Sequence, residues 1–210
     1  VRFGEIDTMQ ETERAIRTAV QAAQKMANTR VDHVIVSFSG ARPRSYGLAG
    51  EVTLQSGTVT EADVARVLAS CDVPDFGVGR EVLHAHPVNF ALDHRSGLND
   101  PRGHVGNRLS TDMHLLTIEA NAIDTLLHCV KRCDLELAGI ASSAYVAGIS
   151  SLVEDEQELG AACVDMGGGT TSISIFIKKH MIFADTVRMG GDHVTSDISQ
   201  GLQIPMTDAE

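Results

Sequence analysis

The run Leu159-Gly160-Ala161-Ala162-Cys163-Val164-Asp165-Met166-Gly167-Gly168-Gly169-Thr170-Thr171-Ser172-Ile173-Ser174-Ile175-Phe176-Ile177 decides how the rest of the chain is read. An apolar strand ends in Asp165, three glycines turn the chain, and Ile173, Ile175 and Ile177 alternate along a second strand. A third strand, Met181 to Val187, lies beyond the turn Lys178-Lys179-His180, so the segment is a hairpin meander. A plain hairpin turn needs one or two glycines, commonly as Asn-Gly or Asp-Gly. That reading leaves the aspartate before the turn and the threonines after it without a purpose. Glycines tolerate positive φ and, lacking Cβ, allow close backbone approach to a ligand. Successive N–H groups in such a turn form an anion-binding concavity. Gly167, Gly168 and Gly169 therefore read as a phosphate cradle, with Thr170 and Thr171 adding hydroxyl donors at its rim. Asp165 would repel a phosphate, so its useful role is to hold a hydrated Mg2+ or to position a water.

Working outward, the chain starts in α/β style. Thr8 and Glu11 have capping-box spacing, and Ala15, Ile16, Ala19, Val20, Ala23, Met26 and Ala27 recur at helical intervals up to Asn28. Val31 to Phe38 alternates as a strand closed by Ser39-Gly40. From Ala41 to about Gly139 the texture differs. Expected there are a strand Ser45 to Leu54, a helix capped by Thr60 bearing Val64, Val67, Leu68 and Cys71, and a strand Arg80 to Leu92. Pro87 places that last strand at an edge or a bulge. A loop Asp93 to Asn107, a strand Leu109 to Ile118, a helix capped by Asn121 and a strand Leu135 to Ile140 complete an α+β unit. A helix from Ser142 to about Leu152 returns to the first style. The acidic run Glu154 to Glu158 reads as a solvated loop, since it has no calcium-loop form.

Bulk properties narrow the function classes. A formal net charge of −11 and no basic stripe argue against a nucleic-acid binder. No run approaches the roughly 18 apolar residues that cross a bilayer. Cys71, Cys129, Cys133 and Cys163 have neither framework nor metal-ligand spacing; even beside His128 they read as core thiols, which suits a reducing cytoplasm. His84 and His86 share one side of a strand with no third ligand nearby, so they read as edge histidines rather than a metal pair. Ser37-Phe38-Ser39-Gly40 lacks the Gly-x-Ser-x-Gly pattern of a serine elbow. The chain opens on Val1 and stops at Glu210 inside a helix lead-in, so an internal fragment is the expectation.

Asp165-Met166-Gly167-Gly168-Gly169-Thr170-Thr171 between two strands resembles the second phosphate loop of the actin, Hsp70 and sugar-kinase superfamily. Gly190-Gly191-Asp192-His193-Val194-Thr195-Ser196-Asp197-Ile198 resembles, more narrowly, the FtsA family of bacterial actin-like division proteins. So do Pro205 to Glu210, Val82 to Pro87 and Ala138 to Ala144. The resemblance implies a partial actin-like (ribonuclease-H-like) α/β ATPase domain with an inserted α+β subdomain. In that scheme residues 1–40 belong to the first actin-like subdomain and 41–139 to the insertion. Residues 140–157 return to the first subdomain, and 158–210 open the second.

The resemblance also implies ATP with Mg2+ as ligands, and it adds Gly190, Gly191 and Glu210 to the nucleotide-contacting residues. It further implies filament formation by self-association, a tether for the FtsZ ring through regions beyond this segment, and later division proteins on the inserted subdomain. A C-terminal helix outside the segment would hold the protein on the inner face of the cell membrane at the division site. The expected role is a nucleotide-dependent scaffold and at most a slow ATPase, since no dedicated general base is visible. A pilus-assembly scaffold or another ATPase of the superfamily is the alternative. The inserted unit argues against a chaperone or phosphotransferase.

Overall fold

The computed structural model describes residues 4–210. Helix α1 (Met9–Ala27) precedes strand β1 (His33–Phe38), which pairs in parallel with β6 (Glu136–Ser142). Between them lie β2 (Arg44–Thr53), α2 (Glu61–Ala69), β3 (Arg80–Leu92), β4 (Arg95–Leu98), β5 (Arg108–Glu119) and α3 (Ala120–Lys131). The chain continues through α4 (Ser143–Ser151), α5 (Glu154–Leu159), β7 (Ala161–Met166), β8 (Thr171–Ile177), β9 (His180–Val187), α6 (Gly191–Leu202) and α7 (Met206–Ala209). Besides the β1–β6 pair there are two antiparallel sheets, ordered β2-β5-β3-β4 and β7-β8-β9.

Each sheet buries one face against a helix. Phe38, Ile118, Leu126, Val130, Cys133 and Leu135 form the first core, with Ile16 and Val20 of α1 packed on it. The rest of the expected α1 stripe is not buried: Ala15, Ala19 and Ala23 face solvent and Met26 is 88% exposed. Thr8 is the N-cap by backbone geometry, but its side chain makes no cap bond; its carbonyl accepts from the N–H and hydroxyl of Thr12 instead. Glu13, buried, lies within reach of Arg17 at 3.5 Å and of Arg132 at 2.6 Å. The Arg132 contact is off the hydrogen-bonding axis, so it is ionic rather than directed.

In the four-stranded sheet, Val64 and Val67 of α2 pack on Leu54, Phe90, Leu92 and Leu109. Thr60 caps α2 through a reciprocal pair of bonds with Asp63. Pro87 sits where β3 has no partner on its β4 side and where its register with β5 shifts, so it is both at an edge and at a bulge. The segment 93–107 is not all loop, because β4 returns to pair with the end of β3.

Two boundaries also differ from expectation. Helix α3 starts from Glu119 without using Asn121 as its cap: the Glu119 and Ala120 N–H groups donate to the carbonyls of Ala41 and Gly79. The acidic run is the short helix α5, closed by the Glu156 carboxylate accepting from the Val153 N–H and tied to the hairpin by a 2.9 Å Lys179–Glu154 pair.

The third core joins Phe176, Met181 and Ala184 to Ala144 of α4 and Leu116 of β5. Helix α4 lies so close that a Cβ at Gly148 would sit 2.2 Å from the Phe176 ring. Where the two halves meet, His84 and His86 of β3 stack near Tyr145 of α4, with ring centroids 5.2 and 5.6 Å from it. They are therefore joint residues rather than exposed edge histidines. His84 Nε2 accepts from the Ser142 N–H at 2.9 Å. Ser45 Oγ accepts from the Ala184 N–H and donates to its carbonyl, which leaves the buried His114 to donate to Ser45 through Nε2. Burial and neighbouring histidines hold His84 and His114 down at about 4, so both are neutral near pH 7.

Candidate functional site

Strand β7 carries the chain to Asp165 and Met166, and the Gly167 N–H closes the turn by donating to the Thr170 carbonyl at 2.8 Å. Asp165 is exposed and pairs across the sheet with Ser172, on the same row as Thr186. Its carboxylate has no hydrogen-bonding or ionic partner among the described residues. Together with burial, it pushes the Cys163 thiol up.

The expectation that these glycines serve positive φ is corrected: Gly167, Gly168, Gly190 and Gly191 lie outside the left-handed region. At Gly190 the reason is closeness. A Cβ at Gly190 would lie 2.3 and 2.4 Å from the carbonyl oxygens of Gly167 and Gly168, closer than any side chain tolerates. The Gly191 and Asp192 N–H groups of α6 donate to those same two carbonyls, each at 2.9 Å. The helix thus grips the outer side of the turn through its first amides, and the Asp192 carboxylate rests against Gly168, 3.0 Å from where a Cβ would be.

This grip consumes carbonyls and leaves donors. The amides of Gly168, Gly169 and Thr170 are three successive N–H groups with no acceptor among the described residues. Such a turn is a concavity of positive partial charge, suited to an oxyanion. The threonine hydroxyls are not both free rim donors. Thr171 donates to the Met189 carbonyl at 2.7 Å, and Thr170, buried, donates to Ser39 Oγ at 3.3 Å.

Asp165, Gly167, Gly168, Gly169, Thr170, Thr171, Gly190 and Gly191 are thus brought together. Glu210 is not: it follows α7, which rests on α6, and no bond ties it to the loop. Sequence reasoning missed Ser39 and Asp192, which touch the loop. The signal for Asp192 was its place in the first turn of a helix entered through Gly190-Gly191. Ser39 had none beyond closing a strand.

Two exposed carboxylates, Asp165 and Asp192, stand beside the amide turn, which fits Mg2+, an ion that keeps most of its waters and takes one or two carboxylates plus phosphate oxygens. His128 is exposed while Cys129 and Cys133 are buried, so the three do not converge on a metal. Among the described residues no helix is long and apolar enough to cross a membrane.

Residues 40–117 match the family model for the SHS2 domain inserted in FTSA, and residues 162–210 match that for cell division protein FtsA. Cell division protein FtsA of Rhizobium meliloti (strain 1021) is 39% identical over 210 residues, covering 100% of this chain and 48% of that protein. FtsA of Bacillus subtilis (strain 168) is 31% identical over 212 residues, again with 100% and 48% covered. The chain therefore spans about half the length of the curated relatives it matches.

Among solved structures, a chain of the PilM-PilN type IV pilus biogenesis complex superposes with a TM-score of 0.65 at 12% identity, covering 100% of this chain and 57% of that one. MreB5 of Spiroplasma citri bound to ADP gives a TM-score of 0.52 at 15% identity, with 100% and 42% covered. These likenesses show the actin-like ATPase fold, and the sequence relatives extend through both the four-stranded sheet and the glycine turn. The chain belongs to the FtsA family of cell-division proteins.

Proposed function

We propose that the turn 167–170 receives the phosphates of ATP, and that the whole protein is a nucleotide-dependent scaffold of cell division. The amides of Gly168, Gly169 and Thr170 carry this reading: they have no acceptor among the described residues, and a row of such donors backed by α6 is what a polyphosphate needs. Mg2+ supplies charge neutralisation between the phosphates when bound. Asp165 is the residue that would hold it through water. That the ATPase-fold neighbour MreB5 carries ADP supports nucleotide as the ligand class.

In the whole protein, ATP-bound copies self-associate into filaments on the inner face of the membrane and anchor the FtsZ ring, while an inserted subdomain spanning residues 41–139 meets later division proteins. Gly190 and Gly191 serve by backing the turn, and Glu210 reaches the nucleoside only if α7 is drawn toward the site. The role is structural, with slow ATP turnover at most. A pilus-assembly scaffold is the second reading. It draws on the PilM–PilN likeness, whereas the sequence relatives favour division.

Titrating ATP into full-length protein with and without Mg2+, for wild type and Asp165→Asn, tests the proposal. Wild type should gain at least tenfold in affinity from Mg2+, and the variant should lose that gain while keeping its Mg2+-free affinity. An equal Mg2+ effect in both proteins would remove Asp165 from the site.

A further inference from the structure

A cavity of about 230 Å3 opens at the base of the four-stranded sheet, lined by Ser39, Arg42, Arg44, Asp185, Thr186 and Arg188 among others. Three guanidinium groups around one small cavity are unexpected in a chain with net charge −11. Two of them have partners outside the cavity lining, Arg42 with Glu119 at 3.3 Å and Arg188 with Glu5. Both are partly exposed pairs of the weak surface kind, and each guanidinium has five N–H donors, so capacity remains. Arg44 has no ion pair among the described residues. Its charge, after burial, also pushes the neighbouring Arg80 down. The one acidic liner, Asp185, spends one carboxylate oxygen on the Thr186 N–H at 2.7 Å, and the three guanidinium groups outnumber it.

The backbone that presents these arginines is strained. Ala41 and Arg42 both lie in the left-handed region, at φ 64 and 45, which residues with a Cβ rarely adopt. Long-range bonds hold them there: the Glu119 N–H donates to the Ala41 carbonyl at 3.0 Å, and the Arg80 guanidinium donates to the Arg42 carbonyl at 2.9 Å. Strain fixed from outside in this way gathers where a side chain must be aimed.

Ser39 ties the cavity to the glycine turn. Its oxygen accepts from Thr170, and its own hydrogen, which has no acceptor among the described residues, is available at the cavity wall. The volume falls below the roughly 300–1,000 Å3 of pockets for drug-sized ligands, and hydroxyl and guanidinium donors suit a tetrahedral oxyanion.

We infer that the cavity is a second oxyanion site, taking inorganic phosphate between Arg42, Arg44 and Arg188 and linked to the glycine turn through Ser39 and Thr170. The site stands on its own residues and does not require the nucleotide reading of the turn.

The test is a calorimetric or 31P NMR titration of inorganic phosphate into full-length protein. The background carries Gly168→Asp, which sets a second carboxylate beside Asp192 and closes the glycine turn. Phosphate should still bind, and adding Arg44→Gln should weaken it at least tenfold; circular dichroism confirms that both proteins are folded, and Arg44→Lys should recover part of the affinity. Binding in the Gly168→Asp background that is indifferent to Arg44→Gln would overturn the cavity site. So would binding in wild type that disappears with Gly168→Asp alone, which would leave the turn as the phosphate site. No binding in either protein also overturns the cavity, and then ATP affinity judges the glycine turn separately.

Discussion

Acidification should unfasten the joint between the four-stranded sheet and the hairpin meander before it touches either core. His84 and His114 ordinarily titrate near 6.5 and are held at about 4 in the fold by burial first and then by neighbouring histidines. A lowered histidine favours the unfolded chain once that chain takes up protons. The contribution is therefore intact above about pH 6.5 and lost progressively as the pH falls toward 4. Down to about pH 5 the loss is roughly 1.5 units at about 1.4 kcal/mol each, so about 2 kcal/mol per histidine and at most about 4 for the pair.

The groups around them reinforce the sign. His86 of β3 repels a new positive charge on either ring, and His114 repels one on His84. Protonated His84 would also lose its role as acceptor for the Ser142 N–H. Urea unfolding at pH 6.5 and 5 reads the effect, keeping above the range where most carboxylates titrate. The variant His84→Gln with His114→Gln preserves an acceptor and a donor but cannot titrate. Wild type should lose several kcal/mol over this interval and the double variant less than half as much. Equal losses would refute the joint as the origin.

Two further expectations concern stability. Gly148→Ala drives a methyl into the Phe176 ring and should cost about 1–3 kcal/mol, read as a lower Tm; an unchanged Tm would mean α4 can shift. Thr60→Ala removes the cap of α2 and should cost about 1 kcal/mol by urea unfolding, with Thr60→Ser restoring most of it.

Much of the fold was legible because alternation and helical spacing report local burial. The strands from Arg44 to Thr53 and Arg80 to Leu92, the Thr60 cap and the Pro87 edge all follow from neighbours in sequence. What failed depended on distant partners. The start of α3 is set by the carbonyls of Ala41 and Gly79, so Asn121 looked like a cap and was not. The acidic run became helical partly because Lys179, across the hairpin, pairs with Glu154. His84 and His86 seemed edge residues because nothing local reveals Tyr145 above them.

At the glycine turn the residue types were legible, yet the physical reason was not. The backbone behind the turn needs glycine at Gly190, where a Cβ would strike the Gly167 and Gly168 carbonyl oxygens, a contact between positions 23 and 22 residues apart that no local pattern encodes. Ser39 is further still from Thr170, 131 residues away, and only the tertiary fold makes them neighbours.

The most direct test of the central claim is a Mg-ATP titration of full-length wild type against Gly168→Asp, with circular dichroism to confirm that both are folded. The added carboxylate would stand beside Asp192 at the open amides of the turn. Binding in wild type that falls by at least a hundredfold in the variant is the predicted result. Equal affinity in two folded proteins would contradict it and leave the turn as a joint between β7, β8 and α6.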